Sequence, residues 1–131
     1  MALYPPIVAS SMPAFDINSG VVRIYYTLSS YNTARKDDIQ LIQISLRRQS
    51  SNVNVLKNEI MNKTFGIQND IDKPLNRYYI EIFNTDLKEN FEVDAIYKVQ
   101  LRFCEGNQST VNINSYSEWS TVCIIKPIQA P

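Results

Sequence analysis

Tyr97-Lys98-Val99-Gln100-Leu101-Arg102-Phe103 alternates without a break, with aromatic and aliphatic side chains at the odd positions and polar or cationic ones between them. A period of two is the mark of a strand buried on one face, because successive Cβ atoms point to opposite sides of a pleated backbone. Downstream, Tyr116-Ser117-Glu118-Trp119-Ser120 precedes a second apolar run, Val122 to Ile125. If these are neighbouring strands, Tyr116 and Trp119 are expected to stack on the aliphatic stems and cationic heads of Lys98 and Arg102, on the outer face. Such a ladder could clamp the last strand. It could equally be an interaction surface, since tryptophan, tyrosine and arginine are the residue types enriched at binding hot spots.

Working outward, the same alternation recurs. Val22, Ile24, Tyr26 and Leu28 interleave with Val21, Arg23, Tyr25 and Thr27, opened by Gly20 and closed by Ser29-Ser30. Gln40, Ile42, Ile44 and Leu46 alternate less cleanly with Leu41, Gln43, Ser45 and Arg47, and Tyr78, Ile80 and Ile82 alternate with Tyr79, Glu81 and Phe83. These β-branched and aromatic residues suit a half-buried pleated surface. Pro5, Pro6 and Pro13 interrupt an apolar opening segment and predict an edge strand broken by a kink, because proline cannot donate to a ladder. Between Ser50 and Asn76 the pattern weakens: Val53 to Leu56 suggests a short strand, Asn58 to Phe65 a helical turn, and Asn69 to Pro74 a turn cluster. Tyr97 opens its strand either as a tyrosine corner, its hydroxyl bonded to upstream backbone, or as a core tyrosine with its tip in water. About seven short strands without a sustained helical period predict an all-β Greek-key sandwich. The expected domain covers residues 1–126, and the proline-bearing tail 127–131 reads as a linker leading to further modules.

Composition excludes several kinds of chemistry. The chain has no histidine, so Ser-His-Asp and Cys-His arrangements cannot form. Three glycines leave no phosphate-cradling loop. Thirteen basic and thirteen acidic residues are scattered, so no basic stripe points to nucleic acid or an anionic membrane. No apolar run reaches the ~20 residues that a membrane-spanning helix needs, and the start of the chain does not read as a secretory signal. Asp37-Asp38 reads as a solvated turn. Asp70 and Asp72 echo part of a calcium loop without its central glycine and closing glutamate. Asn62-Lys63-Thr64 and Asn107-Gln108-Ser109 match glycosylation sequons, which matter only in a secreted chain. Cys104 and Cys123 fall by strand parity on outer faces, where they are either free thiols or a disulfide; without histidine or a CxxC spacing they do not suggest zinc. No cofactor, metal or catalytic group is expected.

The last two strands resemble those of a fibronectin type III domain, and Tyr116-Ser117-Glu118-Trp119-Ser120 resembles the aromatic-Ser-x-Trp-Ser box of cytokine receptors, with Tyr116 in place of the first tryptophan. More specifically, the chain is similar to the amino-terminal fibronectin-type-III-like domain of minor structural proteins from tailed bacteriophages of gut bacteria. That similarity is carried by Ala2-Leu3-Tyr4-Pro5-Pro6-Ile7-Val8, Ser11 to Phe15, Ile24 to Ser29, Arg77 to Ile82, Tyr97 to Phe103 and Tyr116 to Cys123. It implies a non-catalytic attachment module of a virion, at the tail tip or baseplate, assembled in the bacterial cytoplasm and docking on other virion structural proteins. The alternatives are a domain that binds a host surface glycan or receptor, and an accessory domain of a glycan-degrading enzyme.

Overall fold

A computed structural model describes residues 3–58, 60–62, 77–105 and 116–129. The chain is all-β. Among the described residues, strands β1 (Phe15–Asp16), β2 (Val21–Thr27), β3 (Ile39–Arg48), β4 (Ile60–Asn62), β5 (Arg77–Phe83), β6 (Tyr97–Glu105), β7 (Cys123–Ile125) and β8 (Pro127–Ile128) occur with 3-10 turns and one short helix, α1 (Ser30–Ala34). One antiparallel sheet has the order β4-β3-β6-β7 and the other pairs β2 with β5. Their inward side chains form a single apolar core: Ile24, Tyr26, Ile80 and Ile82 from the smaller sheet meet Ile42, Ile44, Leu46, Val99, Leu101 and Phe103 from the larger. The Tyr26 and Phe103 rings meet edge to face across the sandwich, with centroids 5.9 Å apart.

Local irregularities have local causes. The uneven pattern at the start of β3 is a β-bulge: Ile39 faces Glu105, yet Leu41 already faces Cys104. The extra residue lets both Ile39 and Ile42 reach the core. The expected helical turn from Asn58 to Phe65 is instead a strand over Ile60–Asn62, paired with Leu41–Gln43; the rest of that segment, the partial calcium loop and the second sequon lie outside the described residues. Pairing with β3 overrides a weak local pattern. Gly20, at φ 80°, ends the turn before β2 in a left-handed conformation that favours glycine.

The opening segment is a broken edge strand that serves both sheets. Ile7 exchanges two backbone hydrogen bonds with Thr27 at the end of β2, at 3.0 and 2.9 Å. The chain then crosses over, and the Met12 amide donates to the Ile124 carbonyl of β7 at 3.0 Å. It continues as β1, parallel to β8. An unforeseen helix secures its start. Ser29 caps α1, and Asn32, fully buried, uses both ends of its amide on Tyr4: its Oδ1 accepts from the Tyr4 amide at 3.0 Å, and its Nδ2 donates to the Tyr4 carbonyl at 2.7 Å. Because Pro127 is buried and Ile128 pairs with Asp16, the folded unit extends past the expected boundary at residue 126.

Cys123 departs from the parity reading, whereas Cys104 keeps the outer face of its strand but is not exposed there. Cys123 lies opposite Val99 and faces the core, while Cys104 sits on the other face of β6 but is equally buried, opposite Leu41. Both are free thiols, and burial pushes both upward in pKa, so they stay protonated at neutral pH.

Candidate functional site

Arg102 is the centre of the most distinctive constellation. It projects from the outer face of β6, opposite Gln43 of β3, and its Nε donates to Gln43 Oε1 at 2.6 Å. That bond holds the guanidinium in a fixed plane. Its carbon lies 3.8 Å from the Tyr116 ring centroid and 4.4 Å from that of Trp119, within cation–π distance of both. Lys98 stands apart from this stack. It lies four residues, two repeats of the pleat, nearer the start of β6, opposite Arg47, and its ammonium reaches Asn52 Oδ1 at 3.4 Å.

The two serines between the aromatics explain how the stack is held. Residues 117–120 are not a strand, yet they follow the edge of β6 closely. The Ser117 amide donates to the Phe103 carbonyl at 2.8 Å, and the Phe103 amide donates to Ser117 Oγ at 2.9 Å. Ser120 repeats the pattern two residues back along β6: its amide donates to the Leu101 carbonyl at 2.8 Å, and its Oγ accepts from the Leu101 amide at 2.9 Å. Each serine hydroxyl thus takes the place of a strand carbonyl. Each also donates onward, Ser117 to Glu118 O and Ser120 to Thr121 O. Spaced three apart, the serines pair with β6 residues two apart, so the segment between them is out of register with a regular strand. Tyr116 and Trp119 consequently both turn outward, three residues apart, over one guanidinium. Ser117 and Ser120 are buried polar groups with their hydrogen-bonding capacity used, as the low-dielectric interior requires. The sequence reading assigned them no part; their signal was the repeat of aromatic-serine at three-residue spacing.

At the opposite end of β6, Tyr97 is 1% exposed and its Oη accepts from the Glu92 amide at 2.9 Å, five residues upstream. This is a tyrosine-corner geometry. Burial is the main influence on its phenol and raises the pKa. Phe91 packs edge to face on the ring at 4.9 Å, and Arg48 forms an ion pair with Glu92 nearby. Replacing Tyr97 with phenylalanine is expected to lower stability by about 1–2 kcal/mol, because the Glu92 amide loses its acceptor. Urea denaturation of the variant checks this, and a change within error would show that water replaces the hydroxyl.

A second set of stacked cations lies on the outer face of the smaller sheet. Arg23 sits over Tyr79 at 4.5 Å, and Arg77 over Tyr25 at 4.2 Å. The two tyrosines pack edge to face at 5.5 Å, and Arg23 bonds Glu81 at 3.4 Å. These pairs follow from the register, which places Arg23 opposite Glu81 and Tyr25 opposite Tyr79.

Among the described residues, no group of three or more histidine, cysteine, aspartate or glutamate side chains is placed to hold a metal ion, and no helix is long and apolar enough to cross a membrane. Compared with protein-family models and with curated proteins, the chain matches none.

Proposed function

We propose that the chain is a non-catalytic attachment module of the fibronectin type III kind, part of a tailed-phage virion at the tail tip or baseplate. It docks on neighbouring virion proteins and presents further modules. The observation that carries this reading is the treatment of the opening motif. Ala2 to Val8 and Ser11 to Phe15 are the most specific part of the likeness to phage structural proteins, and in this fold the described part of that segment, from Leu3 on, is built into the sandwich. Leu3 is 4% exposed, Tyr4 is clamped by Asn32, and Ile7 and Met12 pair with different sheets. A motif with this structural task is a meaningful basis for family likeness. The strand order supports the same reading, with one sheet β2-β5 extended by the opening segment and the other β4-β3-β6-β7.

No specific observation favours direct glycan binding. One face of each of Tyr25, Tyr79, Tyr116 and Trp119 is taken by a guanidinium. Immunogold labelling of purified phage particles, with antibody raised against residues 1–131, tests the assignment. Label clustered at the tail tip or baseplate is the expected result. Particles that stay unlabelled by a validated antibody would discard the virion role.

A further inference from the structure

Residues 3–8 are held as a bound peptide is held. Leu3 and Pro6 are buried, whereas Tyr4 and Ile7 are 56% and 54% exposed. Asn32, fixed in α1, spends both ends of its side-chain amide on the Tyr4 backbone, and Thr27 at the end of β2 exchanges two backbone bonds with Ile7. None of these anchors belongs to the segment or to its immediate neighbours in sequence. Asn32 and Thr27 grip main chain, so their bonds do not depend on which copy of the chain supplies the segment.

The segment is also shaped for docking before it docks. Proline rings fix φ at Pro5 and Pro6 and push the residue before each of them to extended backbone, so little conformational freedom is lost on binding. The same prolines donate nothing, which confines pairing with β2 to the single bridge at Ile7. The link to the rest of the chain is short. Ile7 is bonded to one sheet, and the Ser10 carbonyl already accepts from the Ile124 amide of the other at 2.9 Å. Only Val8 and Ala9 lie between, and Ala9, Ser10 and Ser11 are exposed. The turn they make is loosely filled: a cleft of about 290 Å³ lies between Ile7, Val8, Ala9 and Met12 and the Tyr25–Thr27 end of β2. A short hinge between two firmly anchored ends is an arrangement that invites exchange of an identical element between copies.

We propose that residues 3–8 form an exchangeable strand, and that the partner of this groove is a second copy of the chain. In a symmetric dimer each copy's segment crosses at Ala9 into the other's groove, placing Leu3 in its core and the Tyr4 backbone on its Asn32. Residues 11–16 stay on their own β7 and β8. The hinge runs straight instead of turning, which removes the loosely filled crossing. Ile7, two residues from the hinge, lies nearest the two-fold axis, where its exposed side chain meets its counterpart. The inference goes beyond the attachment role and does not depend on a place in a virion.

The test is made on the 131-residue chain, incubated dilute and concentrated and then sized by light scattering. The mass is expected to rise with concentration from 15.1 kDa towards twice that value. Tyr4→Cys combined with Tyr31→Cys, at side chains whose rings lie 4.9 Å apart, is then treated with a short bismaleimide; Cys104 and Cys123 are fully buried and stay unmodified. Cross-linking of the dimer fraction should join two chains, and that of the monomer fraction should join each chain to itself. Should that variant not fold, a wild-type dimer of isotopically labelled and unlabelled chains decides, because exchange requires intermolecular NOEs between Tyr4 and the Asn32 side-chain amide. A chain that stays monomeric at every concentration would overturn the proposal, as would a dimer whose cross-links and NOEs stay within one chain. A monomer that instead binds a synthetic peptide of residues 2–8 would reassign the groove to an extended segment of another protein. Label at the tail tip with a monomeric chain discards exchange alone, and exchange without label discards only the virion assignment.

Discussion

Changing Ser117 and Ser120 together to alanine is expected to lower the free energy of unfolding by about 3 kcal/mol. Each substitution removes the acceptor of a buried β6 amide, that of Phe103 or of Leu101, and an unsatisfied buried donor costs roughly 1–3 kcal/mol. Little apolar volume is lost, so the effect isolates the hydrogen bonds. Thr121→Ala is the matched control: its side chain is exposed, and a change below about 0.5 kcal/mol is expected. Chemical denaturation of the three proteins gives the comparison. A loss below about 1 kcal/mol in the double variant would mean that water or a local shift replaces the hydroxyls, and that the serines do not hold the segment to the sheet.

Trp119→Ala is expected to cost about 3 kcal/mol, the low end of the range for removing a large aromatic, because the indole is only partly buried. Its loss uncovers one face of the Arg102 guanidinium, which stays tethered to Gln43 and stacked on Tyr116. A double-mutant cycle with Arg102→Ala separates the stack from simple burial and should give a coupling of about 0.5–2 kcal/mol. The same variants distinguish scaffold from interaction surface. A large fall in melting temperature with partner binding retained in the folded fraction assigns Trp119 to the scaffold. Unchanged melting with lost partner binding makes it a hot spot, and the clamp would have to come from the serines alone.

The difference between these two variants shows which parts of the site were legible in advance. Arg102 and Trp119 are conspicuous by residue type, and the alternation through Tyr97–Phe103 places Arg102 on the outer face. Lys98 shares that face, so parity alone nominated both cations for the stack. Only the approach of residues 116–120 selects Arg102, because the serine hydroxyls anchor the segment beside Leu101 and Phe103. The cysteines illustrate the same limit. Parity at Cys123 was counted along an apolar run that includes Val122, but the strand begins at Cys123, and its register opposite Val99 turns the thiol inward. Asn32 was missed because an asparagine clamp on a segment twenty-eight residues away leaves no periodic trace.

By itself the amino-acid sequence determined that this chain forms strands and which side chains β2, β5 and β6 bury, because a period of two is a local property of the backbone and its hydrophobic side chains. It also determined that the opening segment breaks, since a proline ring removes a donor wherever it stands. Tertiary structure decided where the two halves of that segment pair, where β3 bulges and which cation is sandwiched. Those outcomes depend on which distant backbone groups satisfy one another, and no short window of residues contains that information.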